Sequence, residues 1–159
     1  MEQVVSIDQD ITIGAVDMRG YNGATWDEWR NNQEVELLAS AARITGLESA
    51  TQTNYNGRGV LIALNITAQP GTADTIQLMV REATNSSLAR MLLTFPAVAG
   101  TAGVPASYIG ILYPGATNSK TEADIVAAND VPLPRKWRIL VAHSGEGSFT
   151  YSVTAQVII

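Results

Sequence analysis

The chain has 159 residues, no cysteine, and ten basic against fifteen acidic residues, for a formal charge of −5. That length fits one domain able to bury roughly two thirds of the surface of its unfolded chain, and the missing cysteines exclude disulfides, thiolate metal sites and cysteine nucleophiles together. The negative charge opposes a nucleic-acid partner, while 46% apolar but only 16% charged residues point to a large core or to apolar surface covered by partners.

The first residues, MEQVVSIDQD, lack the basic start and continuous apolar stretch of a secretory signal. No later run reaches the roughly 18 apolar residues of a membrane helix. The expectation is a chain made and left in the cytoplasm unless another particle carries it out, with no membrane partner. VVSIDQDITI alternates like a strand, whereas DMRGYNGATWDEWRNNQ sustains no period. Residues 1–33 therefore read as an extended N-terminal arm, able to span on the order of 100 Å when stretched, ahead of a β-sandwich domain over residues 34–159. Thr25 followed by Asp27 and Glu28 resembles a helix start and predicts one helical turn around Trp26 and Trp29. Those two indoles either cap the domain's own core or anchor the arm on a neighbouring subunit, as interface tryptophans do.

From Val35 the pattern becomes that of strands. VELLASAARI is short and reads as the first. GRGVLIALNITA places Val60, Ile62, Leu64 and Ile66 on one face, with Leu61, Ala63, Asn65 and Thr67 on the other. After a turn at Gln69, Pro70 and Gly71, TIQLMVREA directs Ile76, Leu78 and Val80 inward, and these two strands are expected to pair antiparallel. A turn at Asn85, Ser86 and Ser87 leads to LARMLLTF, which Pro96 ends or pushes to a sheet edge. AGTAGVP is a break, ASYIGILYPG a strand ending at Tyr113, Pro114 and Gly115, and ATNSKTEADIVAAND a long polar connection. WRILVAH and SFTYSVTAQVI are expected to form a hairpin across Ser144, Gly145, Glu146 and Gly147, with the glycines at positive φ. About seven strands follow the arm, with an eighth if VVSIDQDITI pairs. The fold class is all-β, an antiparallel β-sandwich of jelly-roll or immunoglobulin-like type.

Motifs for chemistry are weak. His143 is the single histidine, and its neighbour Ser144 would face the opposite side of a strand, so no serine triad is read there. Asp27, Glu28, Glu122, Asp124 and Asp130 all fall in loops without an aromatic platform, which suits solvated charges better than a glycosidase pair. Asp8 and Asp10 have calcium-ligand spacing, but the pattern is not continued. Asn54 to Gly59 reads as a turn and not a phosphate cradle. The expectation is a protein without catalytic, metal or cofactor site.

Four segments in order, TWDEWRNNQEVELLASAARI, NYNGRGVLIALNITAQPGT, the YPG turn at Tyr113 to Gly115, and LPRKWRILVAHSGEGSFTYSV, resemble a family of small virion structural proteins of tailed bacteriophages. They cover most of residues 25 to 155, and MEQVVSIDQDITIGAVDM lies outside the resemblance. It implies a trimeric jelly-roll knob that decorates the outer surface of the expanded capsid and clamps adjacent subunits of the major capsid protein. Trp26 and Trp29 in the arm are then candidates for capsid or inter-subunit contact. Arg135, Lys136 and Arg138 around Trp137 form a basic patch that meets an acidic capsid surface, or else a solvated strand start with cations stacked on aromatics. Two alternatives remain open. One is a tail or baseplate component, and the other a host-surface or carbohydrate-binding module using Tyr21, Tyr55 or Tyr108.

Overall fold

The computed structural model describes residues 19–21, 26–28, 34–83, 90–102, 105–117 and 125–159, the first two stretches as backbone only. The chain divides into two compact units, Met1–Asn31 and Asn32–Ile159. In the first, β1 (Arg19–Tyr21) and β2 (Trp26–Glu28) pair antiparallel, with Tyr21 opposite Trp26 and Arg19 opposite Glu28. The helical turn expected around Trp26 is thus a strand. An isolated helical turn fixes three residues for one hydrogen bond, whereas the second strand satisfies this backbone with a neighbour. The expected strand VVSIDQDITI, Trp29 and the turn at Asn85 to Ser87 lie outside the described residues.

The second unit is a β-sandwich. Its strands are β3 (Glu34–Arg43), β4 (Leu47–Glu48), β5 (Gln52–Thr53), β6 (Gly59–Ala68), β7 (Thr75–Glu82), β8 (Met91–Thr94), β9 (Val98–Ala99), β10 (Ala106–Leu112), β11 (Ile125–Asn129), β12 (Lys136–His143) and β13 (Phe149–Ile158). One sheet runs β11-β10-β6-β13-β3 and the other β4-β12-β7-β8, with β5 also on β12 and β9 also on β7. From the ends of the domain's sequence inward, β3 pairs with β13, β4 with β12, β6 with β10 and β7 with β8, all antiparallel. The four nested pairs fold over so that β13 also lies against β6 and β12 against β7. That arrangement is a jelly roll.

The core lies between the inner faces. Val60, Ile62, Leu64 and Ile66 of β6 and Phe149, Tyr151, Val153 and Ala155 of β13 oppose Ile76, Leu78 and Val80 of β7 and Trp137, Ile139 and Val141 of β12. Each such side chain contributes about 1.5–3 kcal/mol on leaving water, and strict alternation places them all on one side of their strand. Adjacent Leu37 and Leu38 of β3 are both buried. A register shift opposite Val153 and Thr154 explains this, because a bulge adds one residue and breaks the alternation.

Three connections differ from the sequence reading. β6 and β7 do not pair, since they belong to opposite sheets, and neither do β12 and β13. The segments Gln69 to Gly71 and Ser144 to Gly147 are corners crossing from one sheet to the other. Asp74 fastens them together: its carboxylate accepts the Gly147 N–H at 2.9 Å and the Thr72 hydroxyl at 3.0 Å, while Thr75 N–H donates to Ser144 Oγ at 2.8 Å. Gly145 and Gly147 are not at positive φ, which occurs among the described glycines at Gly71 and Gly115. They are small because a Cβ would stand 2.0 Å from Asp74 Oδ1 at Gly145 and 2.5 Å from Oδ2 at Gly147. The polar connection after Gly115 also contains a strand, β11, parallel to β10. Residues 113–124 supply the dozen or so residues a parallel crossover needs.

Candidate interaction surface

The outer face of the second sheet carries the most organised charge among the described residues. Alternation along β7 and β12 turns Met79 and Arg81, and Arg138 and Leu140, away from the core. The register sets Arg138 directly opposite Arg81 and Leu140 opposite Met79. Two like charges in that position repel. Glu48 of the edge strand β4, opposite Leu140, resolves the conflict by reaching both: its carboxylate lies 3.2 Å from Arg81 Nη1 and 3.0 Å from Arg138 Nη1. One carboxylate between two guanidinium groups leaves the trio with a net positive charge. The Nε atoms of Arg81 and Arg138 are buried without a hydrogen-bond partner.

The patch continues on both sides. Met91 of β8, 48% exposed, lies opposite Arg81, whereas Glu82, opposite the inward Trp137, alternates to the other side of β7, where Arg90 stands 4.0 Å from it. On the other side Lys136 is exposed and pairs through its backbone with Thr53 of β5. The Arg135 guanidinium lies 5.9 Å from the centre of the Tyr55 ring, which is 70% exposed.

Of the sequence candidates, Arg135, Lys136 and Arg138 come together on this end of the sheet. They are not arranged around Trp137, whose indole is 1% exposed and points into the core; the aromatic partner is Tyr55. Trp26 is placed in β2 by its backbone alone, and Trp29 lies outside the described residues. Sequence reasoning missed Arg81 and Glu48. Alternation with the inward Ile76, Leu78 and Val80 turns Arg81 outward, but only the β7–β12 register pairs it with Arg138, and no local pattern discloses that register.

Two other features stand apart from this face. His143, at the end of the inner face of β12, has its Nε2 3.4 Å from the Tyr151 hydroxyl and its ring edge-on to Phe149. Arg43 covers the Tyr151 ring at 4.5 Å and donates to the carbonyls of Tyr151, Ala41 and Ala39. Burial, and then the Arg43 charge, lower the His143 pKa, while burial raises that of Tyr151 against the opposing effect of Arg43. Ser144 is engaged with Thr75 and not with His143. The cluster seals one end of the core. A groove of about 540 Å³ separates the edge strands β8 and β11, lined by Met91 to Pro96 and Val126 to Asn129, and Asn129 Nδ2 bridges it to the Leu92 carbonyl at 2.5 Å. Among the described residues no group of three or more His, Cys, Asp or Glu side chains is placed to hold a metal.

A scan against protein-family models finds no match to the sequence, and comparison with curated proteins finds none either. Among solved structures, the chain is similar to one described as the structure of infectious bursal disease virus Gx strain, at 8% identity and a TM-score of 0.37, over 91% of this chain. The chain spans 36% of the length of that protein.

Proposed function

We propose that this chain is a structural protein of a tailed-bacteriophage virion, a head decoration protein that binds the outer capsid lattice as a homotrimer and holds adjacent subunits of the major capsid protein together. The observation that carries the reading is the agreement between resemblance and fold. The segments resembling the phage family coincide with β3, β6, β12 and β13, the YPG turn holds a glycine at φ 87°, and the strand order is the jelly roll that the resemblance implies. In this reading no reaction, cofactor, membrane or nucleic acid is involved. Trp26 and Trp29 with the rest of residues 1–33, and Arg135, Lys136 and Arg138 on the second sheet, make capsid or inter-subunit contacts. A trimer engaging several lattice sites at once gains effective concentration, so weak single contacts become a durable clamp.

The test is to mix purified protein with mature heads lacking it and, separately, with isolated tails, then to sediment and image both. Saturable three-fold density on the outer head lattice is the expected result. Binding to tails alone would replace the reading with a tail or baseplate role. Binding to neither, together with glycan binding abolished by Tyr55→Ala, would replace it with a carbohydrate-binding module, the alternative favoured by the exposed Tyr55 ring.

A further inference from the structure

We propose that the outer face of the second sheet, centred on Arg81 and Arg138, is a docking surface for an acidic protein surface, one of whose carboxylates is received by the same guanidinium pair that Glu48 bridges. The inference names the partner chemistry of the shell contact above and so rests on that reading.

Charge is the first support. The chain as a whole is at −5 with ten basic residues, yet Arg81, Lys136 and Arg138, with Arg135 just before β12, gather at one end of this sheet against Glu48. A locally positive face on a negative molecule orients an approaching partner and selects its sign. The arginine pair is the second. Both side chains are held, at 26% and 28% exposure, so little rotamer freedom is lost when a ligand arrives. A guanidinium offers five donors in a planar fork suited to carboxylates, and Glu48 meets each guanidinium through one Nη1.

The surroundings decide between classes of partner. Met79 and Leu140 lie side by side next to the arginine pair along the same face, Met91 lies opposite Arg81, Tyr55 stands against Arg135, and the face is a sheet and not a cleft. Tyrosine, methionine and arginine interleaved on a flat surface have the composition of a protein interface. A nucleic acid or an anionic bilayer would instead bring a dense phosphate array against Glu48 and the overall negative charge.

The full-length protein is titrated with a fluorescently labelled octaglutamate peptide, and in parallel with a short duplex DNA and with phosphatidylserine vesicles, at low and physiological salt. Arg81→Gln with Arg138→Gln should weaken peptide binding about tenfold or more, as expected for the loss of charge-assisted bonds. Thr67→Glu with Ala68→Glu changes the net charge by the same amount at exposed positions of the first sheet and should leave binding within about twofold, since only the wider field changes. Glu48→Gln removes the internal competitor and should tighten the peptide several-fold. Lys136→Glu, at an exposed position, provides a loss-of-binding variant if the double arginine variant does not fold. Equal losses in both double variants, no tightening in Glu48→Gln, no peptide binding, or a preference for DNA or vesicles would each overturn the inference. The virion reading fails separately. Peptide binding without head binding removes the head-decoration role and leaves the face, whereas heads decorated equally well by the double arginine variant remove the face and leave the role.

Discussion

Gly110 and Phe95 provide a stringent check on how the two sheets are fitted together. Gly110 of β10 lies opposite Ile62 of β6 in the first sheet, and Phe95, just beyond β8, belongs to the second. A Cβ on Gly110 would stand 2.4 Å from Phe95 Cζ, 2.5 Å from Cε2 and 3.0 Å from Leu93 Cδ2. Ordinary carbon contacts need about 3.5–4.0 Å, so the ring would have to retreat by more than 1 Å. It has little room to do so: Phe95 is buried, its N–H donates to the Leu78 carbonyl at 2.9 Å, and its carbonyl accepts Gln77 Nε2 at 3.0 Å. Overpacking of this kind costs about 1–3 kcal/mol, partly offset by the roughly 0.5–1 kcal/mol that replacing a strand glycine returns. Gly110→Ala should therefore destabilise by about 0.5–2 kcal/mol. Phe95→Leu removes the clashing ring atoms and by itself leaves a hole, so it too should destabilise. Together the two changes should cost at least about 1 kcal/mol less than the sum of their separate effects, as expected for residues in direct contact. Urea unfolding followed by circular dichroism at fixed temperature measures all four corners of the cycle. Additivity within about 0.3 kcal/mol, or a more stable Gly110→Ala, would show that Phe95 does not occupy the place left by the missing side chain.

Glu48→Gln should lower stability by about 1 kcal/mol at low salt, since it leaves Arg81 and Arg138 facing each other partly screened by solvent; urea unfolding with added salt should narrow the difference. The lowered His143 pKa means that the folded chain takes up a proton less readily than the unfolded chain, whose value is near 6.5. Stability from this group is complete above that value and lost as pH falls through the lower folded value; melting temperatures between about pH 7.5 and 5.5 should decline in the parent and less steeply in His143→Gln. Asp74→Ala removes the acceptor for Gly147 and Thr72 and should cost about 1–3 kcal/mol. Asp74→Asn keeps an acceptor oxygen and should recover most of that loss in the same unfolding assay.

The strands were legible because burial on one side imposes a period of two, and β6, β7, β12 and β13 follow it almost residue by residue. What was not legible was which strands meet. A glycine-rich turn serves a hairpin and an inter-sheet corner equally well, and the choice at Ser144 to Gly147 is made by Asp74, some seventy residues earlier in the chain. The alanines of β11 looked like part of a polar loop because its partner β10 is parallel and no tight turn joins the two. The surface followed the same rule. Arg135, Lys136 and Arg138 are contiguous and could be read, but Arg81 and Glu48 join them only through strand registers.

The nesting of the strands also bears on how the chain is made. In the first sheet β13 is inserted between β3 and β6, yet it is synthesised after both. Until residues 149–158 leave the ribosome, each of those ten-residue strands has an edge waiting for a partner that does not yet exist. Such edges invite pairing with other chains, and pairings this distant in sequence form slowly. The sandwich is therefore completed after translation of β13 and not during it. A ribosome that stops before Phe149 releases a chain with both of these edges open, suited to aggregation and unable to close its own core.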